Sequence, residues 1–346
     1  MGVTAPVAEF LVESRRAGAD FGHTLTLGHQ TAFVSPRRLQ RLLRENDLWP
    51  EGASAREFLA EFTESPGFID PFLRALGASE VHAMDASPYE GADLVQDLNL
   101  PVPEQFKERY TAVFDGGTLE HIFSYPTALK NCMEMLRPGG TLFINVVANQ
   151  QLGHGFYQLS PELFFRALAP ENGFTVERMH AYEGVMGASR ALGIPYEFQR
   201  MGPRYRVEDS VLHGGRHELF NRWPLALMVE ARKIETVPVF REFPQQSDYQ
   251  ATWTSHADGG SPGPSHEGSS AALRLQRRVA GSLPPHVKTA LWLDVLPRLL
   301  RPLDPLLYRR ERRRASLANE SMYVPVAGSD RRRHRWFRRR ASSRWL

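Results

Sequence analysis

A single cysteine, Cys132, stands in a chain of 346 residues. One thiol makes no intramolecular disulfide and no cysteine-built zinc site, and it fits a reducing compartment. No run approaches the roughly 20 apolar residues needed to cross a bilayer. The amino-terminal stretch lacks a basic segment followed by an apolar one, so no signal peptide is read and the expected location is cytoplasmic. No G-x-G-x-x-G follows an early strand, which argues against a nicotinamide-dependent enzyme. The 12 histidines show no ligand spacing along the chain, so no metal is expected. An internal repeat is also lacking.

What the chain does have is enough apolar residues for a sizeable core, 42% of the total, and an uneven charge. The formal net charge of +3 hides two opposed parts. Residues 271–346 carry 19 basic and 5 acidic side chains, a balance of +14, against 23 and 34 in the rest, a balance of −11. A mildly acidic body thus precedes a strongly basic tail. Between them, "SHADGGSPGPSHEGSSAA" at 255–272 has the Gly, Ser and Pro content of a flexible linker. The expected division is a folded body over 1–245, a linker over 246–270 and a tail over 271–346. In the tail, the apolar positions of 287–314 and the arginine runs at 309–314 and 331–340, with Trp336 and Phe337 interleaved, suit the surface of an anionic membrane. A solvated, disordered extension has the same composition. Nucleic acid is the weaker reading, because no binding motif accompanies the arginines.

Within the body, short apolar runs alternate with helical spacing. "HTLTLG" (23–28), "VHAMDAS" (81–87), "ADLVQDLN" (92–99), "YTAVFDGG" (110–117) and "TLFINVV" (141–147) read as strands. Strand-like runs also occupy 173–182 and 225–233. "SPRRLQRLLREN" (35–46) reads as a helix with Ser35 as N-cap and Pro36 at the first turn. "YPTALKNCMEML" (125–136) and "SPELFFRALA" (160–169) are further helices. The alternation predicts an α/β fold, a doubly wound, mostly parallel sheet. In such sheets ligands sit beyond the carboxyl ends of the strands. Gly28, Asp85, Asp97 and Asp115 all fall at or near those ends, so four loops converge on one crevice.

Each position also has a bland reading. Asp85 either accepts bonds from a vicinal diol or caps the turn "ASPYEG". Asp115 either faces a ligand or caps the segment after it, and Gly116 and Gly117 allow close approach at the strand tip. Glu120 and His121 are adjacent, so they do not share a face as a simple dyad. His121 has the near-neutral pKa of a general base, and a hydrogen-bonded positioning role is its bland reading. His154, between two glycines in "GHGFYQLSP", falls after the strand at 141–147, on the substrate side of the crevice, as a substrate contact, a base or a loop-fixing residue.

"VHAMDAS", "YTAVFDGGTLEHIF" and "CMEMLRPGGTLFINV", in this order, resemble segments of the class I S-adenosylmethionine-dependent methyltransferases. "GHGFYQLSPELFFRAL" resembles the segment after the fifth strand in one branch of that family, and "PLALMVEARK" (224–233) looks like its closing strand. The resemblance spans about 20–235. It implies a Rossmann-like methyltransferase fold and S-adenosylmethionine as cofactor. Gly28, Asp85, Asp97, Leu98, Asp115, Gly116 and Gly117 would lie around that cofactor, with Asp85 on the ribose and Asp97 and Leu98 at the adenine edge. The acceptor would be an oxygen or nitrogen of a small-molecule or glycan-type substrate, with His154 and His121 as the catalytic candidates. One departure is plain. Where the family has acid-x-Gly-x-Gly, this chain has "TLTLGHQT", with one glycine and no acid. A fold kept for binding or scaffolding, without catalysis, is the alternative that this departure raises.

Overall fold

The computed structural model describes residues 2–64, 67–184, 201–213, 216–219, 224–257, 316–317 and 319–327. The apolar-basic stretch 287–314, the arginine run 331–340 and most of the 255–272 linker lie outside the described residues. The elements in chain order are β1 Gly2–Val3, α1 Ala5–Arg16, β2 His23–Leu27, β3 Thr31–Ala32, α2 Pro36–Glu45, α3 Ala55–Glu64, α4 Asp70–Ala75, β4 Glu80–Asp85 and β5 Leu94–Val95. They continue as β6 Tyr110–Asp115, α5 Tyr125–Met135, β7 Leu136–Val147, α6 Pro161–Ala167, β8 Phe174–Gly184, β9 Met201–Val207, β10 Leu225–Lys233, α7 Ser247–Ala257 and β11 Tyr323–Pro325.

A nine-stranded sheet has the order β11-β9-β8-β10-β7-β6-β2-β4-β5. From β5 to β7 every pairing is parallel. Counting only these five strands in chain order, the arrangement is 3-2-1-4-5, the doubly wound order, whose switch point lies between β2 and β6. β10 then runs antiparallel between β7 and β8, where the closing strand was expected. The fold is therefore a Rossmann-like α/β sheet, as the alternation predicted.

Strand alternation sends side chains to two cores. Val113, Leu142, Ile144 and Val146 meet Ala128, Leu129 and Cys132 of α5 and Phe164 of α6. Ala112, Phe114 and Phe143 meet α1 and the helices α2 to α4 on the other face. Each fully buried Leu or Phe among them contributes roughly 1.5–3 kcal/mol. α2 follows its reading closely: Ser35 Oγ accepts a bond from the Arg38 amide at 3.4 Å, and Leu39 and Leu43 are buried on one face.

The structure departs from the sequence reading in four places. The strand expected over 92–99 is only Leu94–Val95, because the Asp97 carboxylate bonds the Asn99 amide at 2.9 Å and turns the chain. The gap between the helix read at 125–136 and the strand read at 141–147 is an irregularity within β7: Leu136 faces Tyr110, Thr141 faces Ala112, and the four residues between bulge out. α7 falls inside the expected linker. Finally, β11 lies within the expected tail yet pairs with β9, and Tyr323 is buried in the core, so this piece of 271–346 belongs to the sheet.

α1 and β9 carry no clear signature in the sequence, and a charged seam joins them. Arg204 is only 5% exposed and grips both oxygens of Glu13 at 2.6 and 2.9 Å. Beside it Arg178 bonds Glu230 at 2.7 Å through Nε, and Ser14 Oγ donates to the same carboxylate at 2.9 Å. A forked guanidinium matched to a carboxylate fixes geometry as well as charge.

Candidate functional site

The carboxyl ends of the parallel strands form one edge of the sheet. At the tip of β2, Gly28 has a left-handed φ of +70°, and its amide donates to the Met84 carbonyl at 2.7 Å. Glycine takes that conformation without the cost other residues meet. His29 stacks on Phe68 with ring centroids 3.5 Å apart, lies 3.2 Å from Asp70 Oδ2 and reaches the Glu90 carbonyl at 2.9 Å. Gln30 is fully buried. Its Nε2 donates to the Leu27 carbonyl, and its Oε1 has no donor.

Asp85 closes β4 and is part-exposed. One of its oxygens accepts the Ser87 amide at 3.2 Å, which realises the capping reading. A carboxylate has about four acceptor sites, so capping leaves it able to accept from a diol. Asp97 is exposed, and its bonds from Asn99 hold its carboxyl below the usual range. Leu98 turns into the core. Its carbonyl accepts Asn131 Nδ2 at 3.1 Å, while Asn131 Oδ1 takes the Val102 amide at 3.1 Å. The buried amide on α5 thus fixes the turn that presents Asp97.

Asp115 is completely buried at the tip of β6. Its Oδ1 accepts the amides of Gly117, Thr118 and Leu119 at 3.2, 2.7 and 3.3 Å, while Oδ2 has no donor. The cap drives the chain into a short 3-10 turn, Leu119–His121. Thr118 Oγ1 ties that turn to the Leu27 carbonyl at 2.6 Å. A Cβ on Gly116 would run into Gln30 Oε1, so the glycine lets β6 pack against that amide. Glu120 is 1% exposed, and its Oε2 has no donor. Burial pushes the carboxyls of both Asp115 and Glu120 up, and the charge of Asp115 adds to the rise at Glu120.

The loop after β7 folds back onto this turn. The Phe156 and Tyr157 amides both donate to the Glu120 carbonyl, at 2.9 and 3.3 Å. A Cβ on Gly155 would lie 2.8 Å from that carbonyl oxygen, so only glycine lets the loop come this close. His154 Nε2 then lies 3.7 Å from Glu120 Oε1, and the His121 and His154 rings are 5.2 Å apart. Burial lowers the pKa of both imidazoles, and His121 lowers that of His154 further, which keeps them neutral near pH 7. Phe123 and Phe156 stand at the rim, 73% and 67% exposed, edge to face at 5.9 Å.

A cavity of about 130 Å³ opens beside these groups. Of the residues singled out in sequence, Gly116, Gly117, Glu120 and His154 line it, and Gly28, Asp85, Asp97, Leu98, Asp115 and His121 do not. Asn145, Tyr182 and the amino-terminal residues Gly2 and Thr4 complete much of its wall. Tyr182 donates to Asn145 Oδ1 at 3.0 Å across it. Gln30, Asn145 and Tyr182 carry no motif: the place of Asn145 and Tyr182 follows from the register of β7, β8 and β10, and that of Gln30 from the turn after β2.

No protein-family model matches the chain, and no curated protein does. Among solved structures, it is similar to the branched-chain polyamine synthase of Thermus thermophilus at 15% identity and a TM-score of 0.33, over 71% of this chain and 62% of that one. A SAM-dependent methyltransferase of Thermotoga maritima is 14% identical over 65% of this chain and 89% of that one, with a TM-score of 0.30. The trans-methyltransferase CalH in complex with SAH is 13% identical over 66% and 55%, with a TM-score of 0.32. This chain spans less than two thirds of the length of the polyamine synthase. Its own strand order makes it a Rossmann-like α/β protein.

Proposed function

We propose that the chain is an S-adenosylmethionine-dependent methyltransferase, acting on an oxygen or nitrogen of a small-molecule or glycan-type acceptor. One observation carries this reading: Gly28, Asp85 and Asp115 close three adjacent parallel strands, β2, β4 and β6, across the switch point. That is where doubly wound sheets bind nucleotide-bearing ligands. The residues fit the group. Asp85 has acceptor capacity for ribose hydroxyls, Asp97 lies at the next strand tip, and Gly28 and Gly117 adopt left-handed conformations where the chain turns. Glu120 lines the cavity and its buried Oε2 has no donor, an arrangement that favours a donor-bearing, cationic ligand over an anionic one.

Bound S-adenosylmethionine supplies a methyl group already activated on a positively charged sulfur. The protein's contribution is then alignment and exclusion of water. Asp115 holds the turn that sets Gly117 and Glu120 at the cavity wall. His154 lines the cavity, with the His121 ring 5.2 Å from its own, and a neutral imidazole there is able to take the acceptor's proton. The exposed rings of Phe123 and Phe156 offer the apolar face of a sugar or a planar acceptor a surface to lie on.

Calorimetric titration of the full chain with S-adenosylhomocysteine tests this reading. Saturable binding at one site per chain is the expected result. Absence of heat and of competition with S-adenosylmethionine would leave the fold as a cofactor-free scaffold.

A further inference from the structure

Glu120, His121 and His154 bring one carboxylate and two imidazoles together, with one ligand atom from each within 4.8 Å of the others. We propose that these three side chains form a divalent-metal site. Two features beyond proximity point to a cation. Glu120 is buried to 1% exposure and its Oε2 is left without any donor. A buried acceptor in that state is costly unless a donor or a cation meets it. Access from solvent is open, since His121 is exposed and His154 part-exposed.

The backbone is arranged to hold this grouping. Glu120 and His121 share the 3-10 turn that Asp115 caps. Neighbours on such a turn diverge by about a third of a revolution, so a third ligand has to come from another segment. His154 supplies it, on the loop that Gly155 lets settle onto the Glu120 carbonyl. Metal–ligand bonds of about 2.0–2.2 Å require the three groups to draw closer together than they stand here. Two imidazoles with one carboxylate suit zinc or iron(II), cobalt(II) and nickel(II) better than calcium or magnesium. Neutral imidazoles are the form that ligates.

Three protein ligands leave coordination positions open. On the methyl-transfer reading, which this last step requires and the metal site itself does not, an acceptor oxygen occupies one of them. The metal then lowers that oxygen's pKa so that its proton leaves to water, in place of transfer to an imidazole. The oxygen takes the methyl as the sulfonium departs as the neutral thioether, S-adenosylhomocysteine.

The test is competition of the full chain with a chromophoric chelator for Zn²⁺, together with the visible absorption of added Co²⁺. His121→Ala and His154→Ala are the variants, with the exposed surface residue His213 changed to alanine as a control. One equivalent of Zn²⁺ is expected in the wild type and in the control. Each site variant should lose more than about 10-fold in affinity, the effect seen when merely the partner of a ligand is removed, and should lose the Co²⁺ spectrum. Circular dichroism under chelator verifies that the variants fold. Equal Zn²⁺ affinity in wild type and site variants, or an equal loss in His213→Ala, would overturn the site. S-adenosylhomocysteine titration of the metal-free chain is a separate readout, so failure of one proposal is distinguishable from failure of the other.

Discussion

Asp85→Ala is expected to weaken S-adenosylhomocysteine binding by about 10- to 150-fold. A hydrogen bond to a charged group is worth roughly 1.5–3 kcal/mol, and each 1.4 kcal/mol is tenfold in affinity. The structure sharpens what the variant tests. Asp85 already accepts the Ser87 amide at 3.2 Å, so alanine removes a turn cap as well as a ligand contact. Asp85→Asn retains an acceptor for Ser87 and loses the charge and some acceptor capacity, and it should lie between the two. Loss of binding in the alanine variant with a wild-type value for asparagine would assign the effect to the cap. Unchanged affinity in both would remove Asp85 from the site.

The second large effect is on stability in mild acid. His180 of β8 packs edge to face on Phe10 at 5.1 Å, in the seam between α1 and the sheet. Burial, then the charges of Arg204, Arg178 and Arg206, push its pKa from 6.5 down to about 3. Glu9, Glu13 and Glu230 pair with Arg204 and Arg178 on the same seam. The folded chain keeps the imidazole neutral where the unfolded chain protonates it, so the unfolded state binds more protons between those two values. Stability from this group is complete above pH 6.5 and falls as the pH drops toward 3. Over the window from 6.5 to 4.5, above the ordinary carboxylate range, the loss approaches about 1.4 kcal/mol per pH unit. Asp115 and Glu120, whose carboxyls burial raises, act in the opposite sense over this window. Urea unfolding at several pH values should therefore show the His180 contribution as a difference: on acidification the wild type loses up to about 1.4 kcal/mol per pH unit more than His180→Gln. Parallel slopes would show that His180 does not govern the acid side.

Much of the sheet was legible in the sequence because its strands are short apolar runs closed by Gly or Asp. Leu27-Gly28, Asp85 and Asp115 were all placed at the correct ends for that reason. α2 was legible from a cap and an apolar stripe. Two kinds of feature were not. β9, "MGPRYRV", has a glycine, a proline and two arginines, and neither alternates nor looks buried. It is held by the Arg204–Glu13 pair with α1, a contact that no local pattern encodes. β11 was obscured by its setting, since three residues ending in a proline lie among the arginines of the tail. At the site, the motifs gave the strand tips but not the side chains between them. Glu120 was visible as the neighbour of His121, while its burial, its missing donor and its approach to His154 arise from a loop folding back from β7. Leu98 shows the converse. A position adjacent to a site residue in sequence turns into the core, because Asn131 holds its backbone from the opposite side.

The central claim is that the carboxyl edge around the switch point between β2 and β6 is the cofactor site. Amide hydrogen exchange of the full chain, with and without S-adenosylhomocysteine, tests it most directly. The account predicts slowed exchange in the segments around Gly28, 85–91, 97–99 and 116–121, on four separate loops of one edge. Protection confined to the opposite edge of the sheet, or to the β9–β11 end, would contradict it.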